Sequence, residues 1–290
     1  MKLRVWEPET APRAIVQIVH GMAEHIGRYD RLARALNSRG FLAAGHDHRG
    51  HGPDAALKGY FADENGWDAV VGDIREATLE LKRRYPGLPV FLLGHSMGSF
   101  AVREYLLRWG DELSGAVLSG TGWYPLPLCL AGQAVAALSP KKKPARLVDK
   151  LAFSGNNRPF SPARTPYDWL TSDEAMLDSY MADPDCGFVF TGGAYRDFFS
   201  GLRRLTDLSR LSRMPKDLPV LFLSGTMDPV GQMGRGVETV ARQFRSAGMR
   251  SVTVRLFPDA RHEVFNETIR AEADAFLASW LEEQPSMRKK

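Results

Sequence analysis

Apolar residues along the chain follow two spacings in turn. Ala14–Val19 is an apolar, β-branched run that stops at His20-Gly21, and Tyr29–Ser38 carries a helical pattern that stops at Gly40. Phe41–Ala44 is a short apolar strand pattern, followed by a glycine- and histidine-rich loop over Gly45–Gly52. Trp67, Val70, Val71, Ile74, Thr78 and Leu81 recur at helical spacing, and Pro86-Gly87 ends that helix. Strand patterns at Val90–Leu93 and Ala116–Ser119 flank a helical stretch from Met97 to Trp109. From Thr121 to Pro215 the alternation breaks, and Pro125, Pro127, Pro140, Pro144, Pro159, Pro162, Pro166 and Pro184 separate short helix-like pieces. It resumes with the strand Val220–Leu223, a helix over Val237–Ala247 and the strand Val252–Phe257. A terminal helix follows, with Ile269, Ala273, Phe276, Leu277 and Trp280 on one face.

Strands alternating with helices predict an α/β fold with a mostly parallel central sheet and helices on both faces. The irregular middle segment then reads as an inserted helical cap above the carboxyl ends of the strands. The expected division is a first core part over 1–121, a cap over 122–215 and a second core part over 216–290.

Composition narrows the class. Hydrophobic residues make up 44% of the 290 residues, enough for a sizeable core and against disorder. No stretch approaches the roughly 20 apolar residues of a membrane span, and Met1–Pro8 lacks the apolar centre of a secretory leader. Cys129 and Cys186 are too few for a disulfide framework or a cysteine-ligated metal site. A soluble cytoplasmic protein is expected. The net charge of +4 is concentrated at Lys141-Lys142-Lys143 and Arg288-Lys289-Lys290, which serves solubility or a peripheral contact with an anionic membrane. No nucleic-acid-binding module is visible, and nothing in the pattern speaks to oligomeric state.

The chemistry centres on Gly94-His95-Ser96-Met97-Gly98, between a strand pattern and a helical one. A serine hydroxyl is a poor nucleophile and must be held exposed on a tight turn; glycines two before and two after permit that turn and let strand and helix approach. On such a sheet the acid and base follow in the order Ser…Asp/Glu…His. Asp228 lies just past the strand ending in Leu223, and His262 just past the strand ending in Phe257. The expected roles are Ser96 as nucleophile, His262 as base and Asp228 as its orienting acid. Asp259 is three residues from His262 and reads as a loop residue, while Asp47 falls out of order. The backbone N–H groups of Met97 and Met22 are the candidate oxyanion donors. His46, His48 and His51 are expected to hydrogen-bond backbone within their loop rather than to bind metal, because no paired helical spacing or cysteine supports a metal site. Glu24 and Arg28, beside the loop of Met22, are expected to be structural.

Five pieces taken together resemble a known family: His20-Gly21-Met22-Ala23-Glu24-His25 with Arg28-Tyr29, Asp47-His48-Arg49-Gly50-His51-Gly52, the elbow, Ser224–Val230, and His262-Glu263. They look like the monoacylglycerol lipase/lysophospholipase branch of the α/β-hydrolases, often labelled serine aminopeptidase-like. Thr165–Leu170 and Asp183–Phe188 look like the cap of its bacterial members. The resemblance implies a Ser96–His262–Asp228 triad, Met22 and Met97 as oxyanion donors, and carboxylic-ester hydrolysis without a cofactor. Two positions depart from the family pattern: Ala23 and Ser99 stand where glycine is common.

Three functions compete. The first is hydrolysis of a lipid-like monoester, with the apolar stretch Leu126–Leu138 suited to covering an acyl chain. The second is a peptidase on the same triad, which needs a carboxylate for the substrate amine; Asp168, Asp173, Glu174, Asp178, Asp183 and Asp185 are the candidates. The third is a binding protein with an idle triad. Serine at the elbow argues against dehalogenase or epoxide hydrolase chemistry, which uses aspartate there.

Overall fold

A computed structural model describes residues 2–288. The elements run β1 (Arg4–Trp6), β2 (Ala14–Val19), α1 (Asp30–Asn37), β3 (Phe41–Gly45), α2 (Gly66–Arg84), β4 (Val90–His95), α3 (Met97–Trp109) and β5 (Gly115–Ser119). Four helices follow, α4 (Leu126–Ala137), α5 (Arg146–Phe153), α6 (Glu174–Ala182) and α7 (Gly192–Arg204). The chain closes with β6 (Val220–Gly225), α8 (Arg235–Ser246), β7 (Val252–Phe257), α9 (Arg270–Glu283) and the short α10 (Pro285–Arg288).

The strands form one seven-stranded sheet in the order β1-β3-β2-β4-β5-β6-β7, parallel from β3 through to β7. Only β1 is antiparallel, paired at the edge with β3. Sequence pattern does not reveal β1, because three residues are too few to establish a period. The long central strands read as continuous apolar runs because both faces are covered. Ile15, Leu42, Leu92, Leu118 and Phe222 face α2, α3 and α8, while Val16, Ala43, Leu93, Val117 and Leu221 face α1 and α9.

The four helices between β5 and β6 pack back on the rest of the chain through α7. Gly201 of α7 lies against the Trp67 ring, and Gly132 of α4 lies against Phe199 of α7. Parallel strands place β2, β4, β5, β6 and β7 with their carboxyl ends on one edge, so the loops after them converge under these helices. Two of the three clustered lysines are engaged with the core: Lys142 pairs with Asp63 at 2.9 Å, and Lys141 at 3.7 Å. Lys289 and Lys290 lie outside the described residues. Among the described residues no helix is long and apolar enough to cross a membrane.

Candidate active site

Ser96 is the single residue between β4 and α3 and sits at φ 51°, ψ −120°. This is left-handed backbone that a residue with a side chain adopts at a cost of about 1–3 kcal/mol, held by its surroundings. Its N–H donates to Ser119 O at 2.9 Å. The flanking glycines are sterically required. A Cβ on Gly94 would sit 2.6 Å from Gly98 O, and one on Gly98 would collide with the Val19 carbonyl. Ser99, where a glycine is common, donates its hydroxyl to Ser96 O at 2.6 Å and braces the turn.

Asp228 and His262 come from the loops after β6 and β7, and both are fully enclosed. His262 Nδ1 lies 2.9 Å from Asp228 Oδ1, so the carboxylate sets the tautomer with hydrogen on Nδ1. Asp228 also accepts from Ser224 Oγ at 3.0 Å and Val230 N at 2.9 Å. Burial opposes charge on both groups. Mutual attraction and these hydrogen bonds outweigh it, holding Asp228 below its ordinary range and raising His262 above its own. The rival carboxylates are elsewhere: Asp259 is exposed, and Asp47 accepts from Ile26 N at 2.7 Å.

His262 Nε2 is buried and, among the described residues, has no hydrogen-bond partner. No hydrogen bond joins it to Ser96 Oγ; the two residues instead share the wall of one cavity of about 340 Å³. Such bonds are commonly long without substrate and tighten when it binds. Ser96 also opens on a second cavity, of about 410 Å³, with Met22, Met97, Phe100, Tyr124 and Leu128 on its walls. Among the described residues, neither Met22 N nor Met97 N donates to a protein acceptor. Ala23, the other departure from glycine, occupies left-handed backbone at φ 52°. It is fixed there by Gly187 N, which donates to its carbonyl at 2.9 Å.

Sequence reasoning left Glu24 and Arg28 with a structural role, and they prove to be buried rather than superficial. Arg28 donates to Glu24 Oε2 at 2.6 Å and to both oxygens of Glu263 at 2.8 Å. Glu24 accepts in turn from Gly21 N at 2.5 Å and Tyr29 OH at 2.9 Å. One guanidinium therefore ties the Met22 loop to the residue after His262. Burial disfavours the charge on Glu263, but Arg28 outweighs it and holds the carboxyl below its ordinary range. Arg28→Met is expected to leave two buried carboxylates facing each other and to cost about 3–5 kcal/mol of stability. Chemical denaturation reads this directly; a loss under about 1 kcal/mol would show that the cluster is not a buried ion network.

The loop histidines divide. His48 Nε2 lies 3.2 Å from His20 O, His51 Nδ1 lies 2.9 Å from Arg49 O, and His51 Nε2 accepts from Ala23 N at 3.3 Å. His46 departs from expectation: among the described residues neither ring nitrogen has a hydrogen-bond partner. It is held by packing, edge-on to His48 with centroids 5.4 Å apart. His25, Asp183 and Cys186 form a compact group with metal-binding atom types. Its hydrogen bonding points away from a metal. His25 Nδ1 accepts from Gly27 N at 3.1 Å, so Nε2 carries the hydrogen and donates to Asp183 Oδ2 at 2.9 Å. Burial also pushes the Cys186 thiol above its ordinary range, opposing the thiolate a metal requires.

Comparison with known proteins adds the lineage. The model of the family described as serine aminopeptidase, S33 matches residues 10–269. Monoacylglycerol lipase of Mycolicibacterium smegmatis is 30% identical over 281 residues, covering 96% of this chain and 91% of that protein. Mouse monoglyceride lipase is 29% identical over 266 residues, covering 91% and 80%. Among solved structures, a thermostable carboxyl esterase from Bacillus coagulans in complex with glycerol superposes with a TM-score of 0.89 at 28% identity, covering 97% and 93%. The chain therefore belongs to the serine aminopeptidase S33 family of α/β-hydrolases, in its monoacylglycerol lipase-like branch, and is a carboxylic ester hydrolase.

Proposed function

We propose that the chain hydrolyses lipid-like monoesters of monoacylglycerol or lysophospholipid type through a Ser96–His262–Asp228 acyl-enzyme mechanism. His262 Nε2 takes the hydroxyl proton as Ser96 Oγ attacks the ester carbonyl. The Met22 and Met97 N–H groups receive the oxyanion, each worth about 2.7–4 kcal/mol in the transition state. His262 then returns the proton to the departing alcohol, and water cleaves the acyl-enzyme by the same route. The observation that carries this reading is the meeting of two unlike cavities at Ser96. One is walled by apolar side chains such as Phe100, Leu128, Val135 and Phe198 and suits an acyl chain. The other includes Glu24, His95, Asp149, Lys150 and Tyr167 and suits a hydroxylated alcohol.

An acyl-chain series on monoesters tests it. Each added methylene buried in the apolar cavity is worth about 0.8 kcal/mol, so kcat/KM is expected to rise roughly three- to four-fold per carbon until the cavity fills. A flat series would remove the acyl assignment. The peptidase reading needs a free carboxylate at the serine, and none of the six acidic candidates lines either cavity; of the carboxylates that do, Glu24 and Glu263 are held by Arg28, and Asp149 accepts from Tyr195 OH. Asp168, Asp173, Asp178, Asp183 and Asp185 are already paired with backbone or basic groups. Aminoacyl anilides are expected to be poorer substrates than p-nitrophenyl acyl esters, and the reverse order would favour the peptidase. An idle site would form no adduct with a fluorophosphonate probe.

The helices of the insertion act as a cap in this reading, with Leu126, Leu128, Leu130, Leu138, Leu147 and Leu151 between 44% and 86% exposed on α4, α5 and the turn between them. Leu128 and Leu151 also border the apolar cavity. Such a patch fits a lipid surface that delivers substrate. The pair Leu138→Glu and Leu147→Glu is expected to weaken binding to phosphatidylglycerol vesicles at least ten-fold in a sedimentation assay. Hydrolysis of a soluble short-chain ester should be unchanged. Undiminished vesicle binding would remove the lipid-surface role.

A further inference from the structure

The segment from Asp168 to Ser172, between α5 and α6, is bound along the loop that carries His262. His262 N donates to Trp169 O at 3.4 Å, and Glu263 N donates to Leu170 O at 2.8 Å. Arg261 Nη1 donates to Thr171 O at 3.2 Å and to Asp168 O, and Thr171 Oγ1 donates to Asn266 O at 2.9 Å. Glu267 clips the two strips together. Its carboxylate is fully buried and accepts from Arg261 N and Ser172 N, each at 2.9 Å, from Ser172 Oγ at 2.5 Å and from Thr268 N at 3.0 Å. The strap carries Trp169 and Leu170 to the site. The Trp169 ring lies 5.1 Å from the His262 ring and is itself stacked on Phe153 at 6.2 Å and 14°. Trp169 and His262 line the same cavity as Ser96.

We propose that Trp169 is a positioning residue for His262, and that the strap clipped by Glu267 makes the inserted segment part of the frame that holds the imidazole. The proposal rests on the triad reading above. The indole keeps water from one side of the imidazole and backs it against Asp228, and its π-face favours the imidazolium formed as Ser96 attacks. Asp228, Glu263 and Glu24 also act on that ring, and the His95 ring lies beside it with centroids 4.8 Å apart. Opening the insertion far enough to lift the strap would withdraw Trp169 and slacken His262 together. Catalytic competence would then require the inserted segment to be seated.

The test compares Trp169→Phe, Trp169→Leu and Glu267→Gln in the full chain, with wild type and Ser96→Ala as references, on a soluble short-chain ester. Trp169→Leu is expected to lower kcat about 3- to 30-fold with KM changed less than two-fold. The acid limb of its kcat/KM profile should move to lower pH by about half a unit. Trp169→Phe should recover most of both, because it restores a π-face. Glu267→Gln should lower kcat as Trp169→Leu does, and the double variant should lose little beyond the worse single one, since the two act as a unit. Equal behaviour of the Phe and Leu variants, or a loss confined to KM, would overturn the proposal. If Trp169→Leu does not fold, wild-type kcat in Glu267→Gln overturns it. Absence of a Ser96-dependent fluorophosphonate adduct on wild type would instead sink the triad reading, a result separable from any of these.

Discussion

Replacing Ser96 with alanine is expected to lower kcat by about a million-fold, the scale on which removing a serine nucleophile acts in such triads. Asp228→Asn should keep the fold and lose about 10⁴-fold, because an amide offers a hydrogen where the carboxylate accepts one from Nδ1 and so fixes the wrong tautomer. The geometry makes that second loss specific. Asp228 Oδ1 receives both His262 Nδ1 and Val230 N, each at 2.9 Å, and the carboxylate is fully buried. Ester hydrolysis measured against a fluorophosphonate active-site count checks both variants. Near-wild-type turnover in Asp228→Asn would remove that residue from the triad, and an adduct persisting in Ser96→Ala would remove the nucleophile.

Acidification is expected to unfold the chain at unusually mild pH. His20, His46, His48, His51 and His95 are buried and neutral: burial, with help from neighbouring histidines at all but His46, pushes His46 and His95 down to about 4 and His48 and His51 to about 3, with His20 also well below its ordinary value. In the unfolded chain each titrates near 6.5. The unfolded state therefore binds more protons below that pH, and stability falls as pH drops from about 6.5 toward the folded values. Each such histidine costs up to about 1.4 kcal/mol per pH unit, so five together overtake a typical stability of about 5–15 kcal/mol near pH 5. His262 works in the opposite sense. Its raised value adds stability that is fully present below 6.5 and is lost as pH rises through the folded value. Circular dichroism against pH should show a midpoint between about 4.5 and 6. His46→Leu should move it lower, because His46 has no hydrogen bond to lose. A midpoint below about pH 3.5, or no shift in His46→Leu, contradicts this account.

Much of the candidate site was legible along the chain because it is encoded locally. The strands β2 and β7 and the helix α3 fall on the residues the apolar pattern indicates. A parallel sheet reads as bounded apolar runs, and chemistry at its carboxyl edge lies one short loop beyond each run. That is why Ser96, Asp228 and His262 are visible as residues just past strand ends, in the chain order such sites use. The glycines of the elbow are visible for the same reason, since the close approach of Gly94 to Gly98 is a property of one strand–turn–helix unit.

What lay beyond the pattern are contacts between distant segments. Arg28 meets Glu263 across 235 positions, and no local period links them. Glu267 meets Ser172 across 95 positions through an insertion whose prolines erase any regular spacing. The pairing of an apolar with a polar cavity at Ser96 and the contact of Trp169 with His262 follow from how the helices between β5 and β6 seat on the core. The sequence by itself determined the sheet and the order of the candidate site residues along its edge, because strand ends and turns are short-range features. Only the tertiary structure decided what surrounds those groups, because burial, charge pairing and cavity shape arise when segments far apart in the chain are packed together.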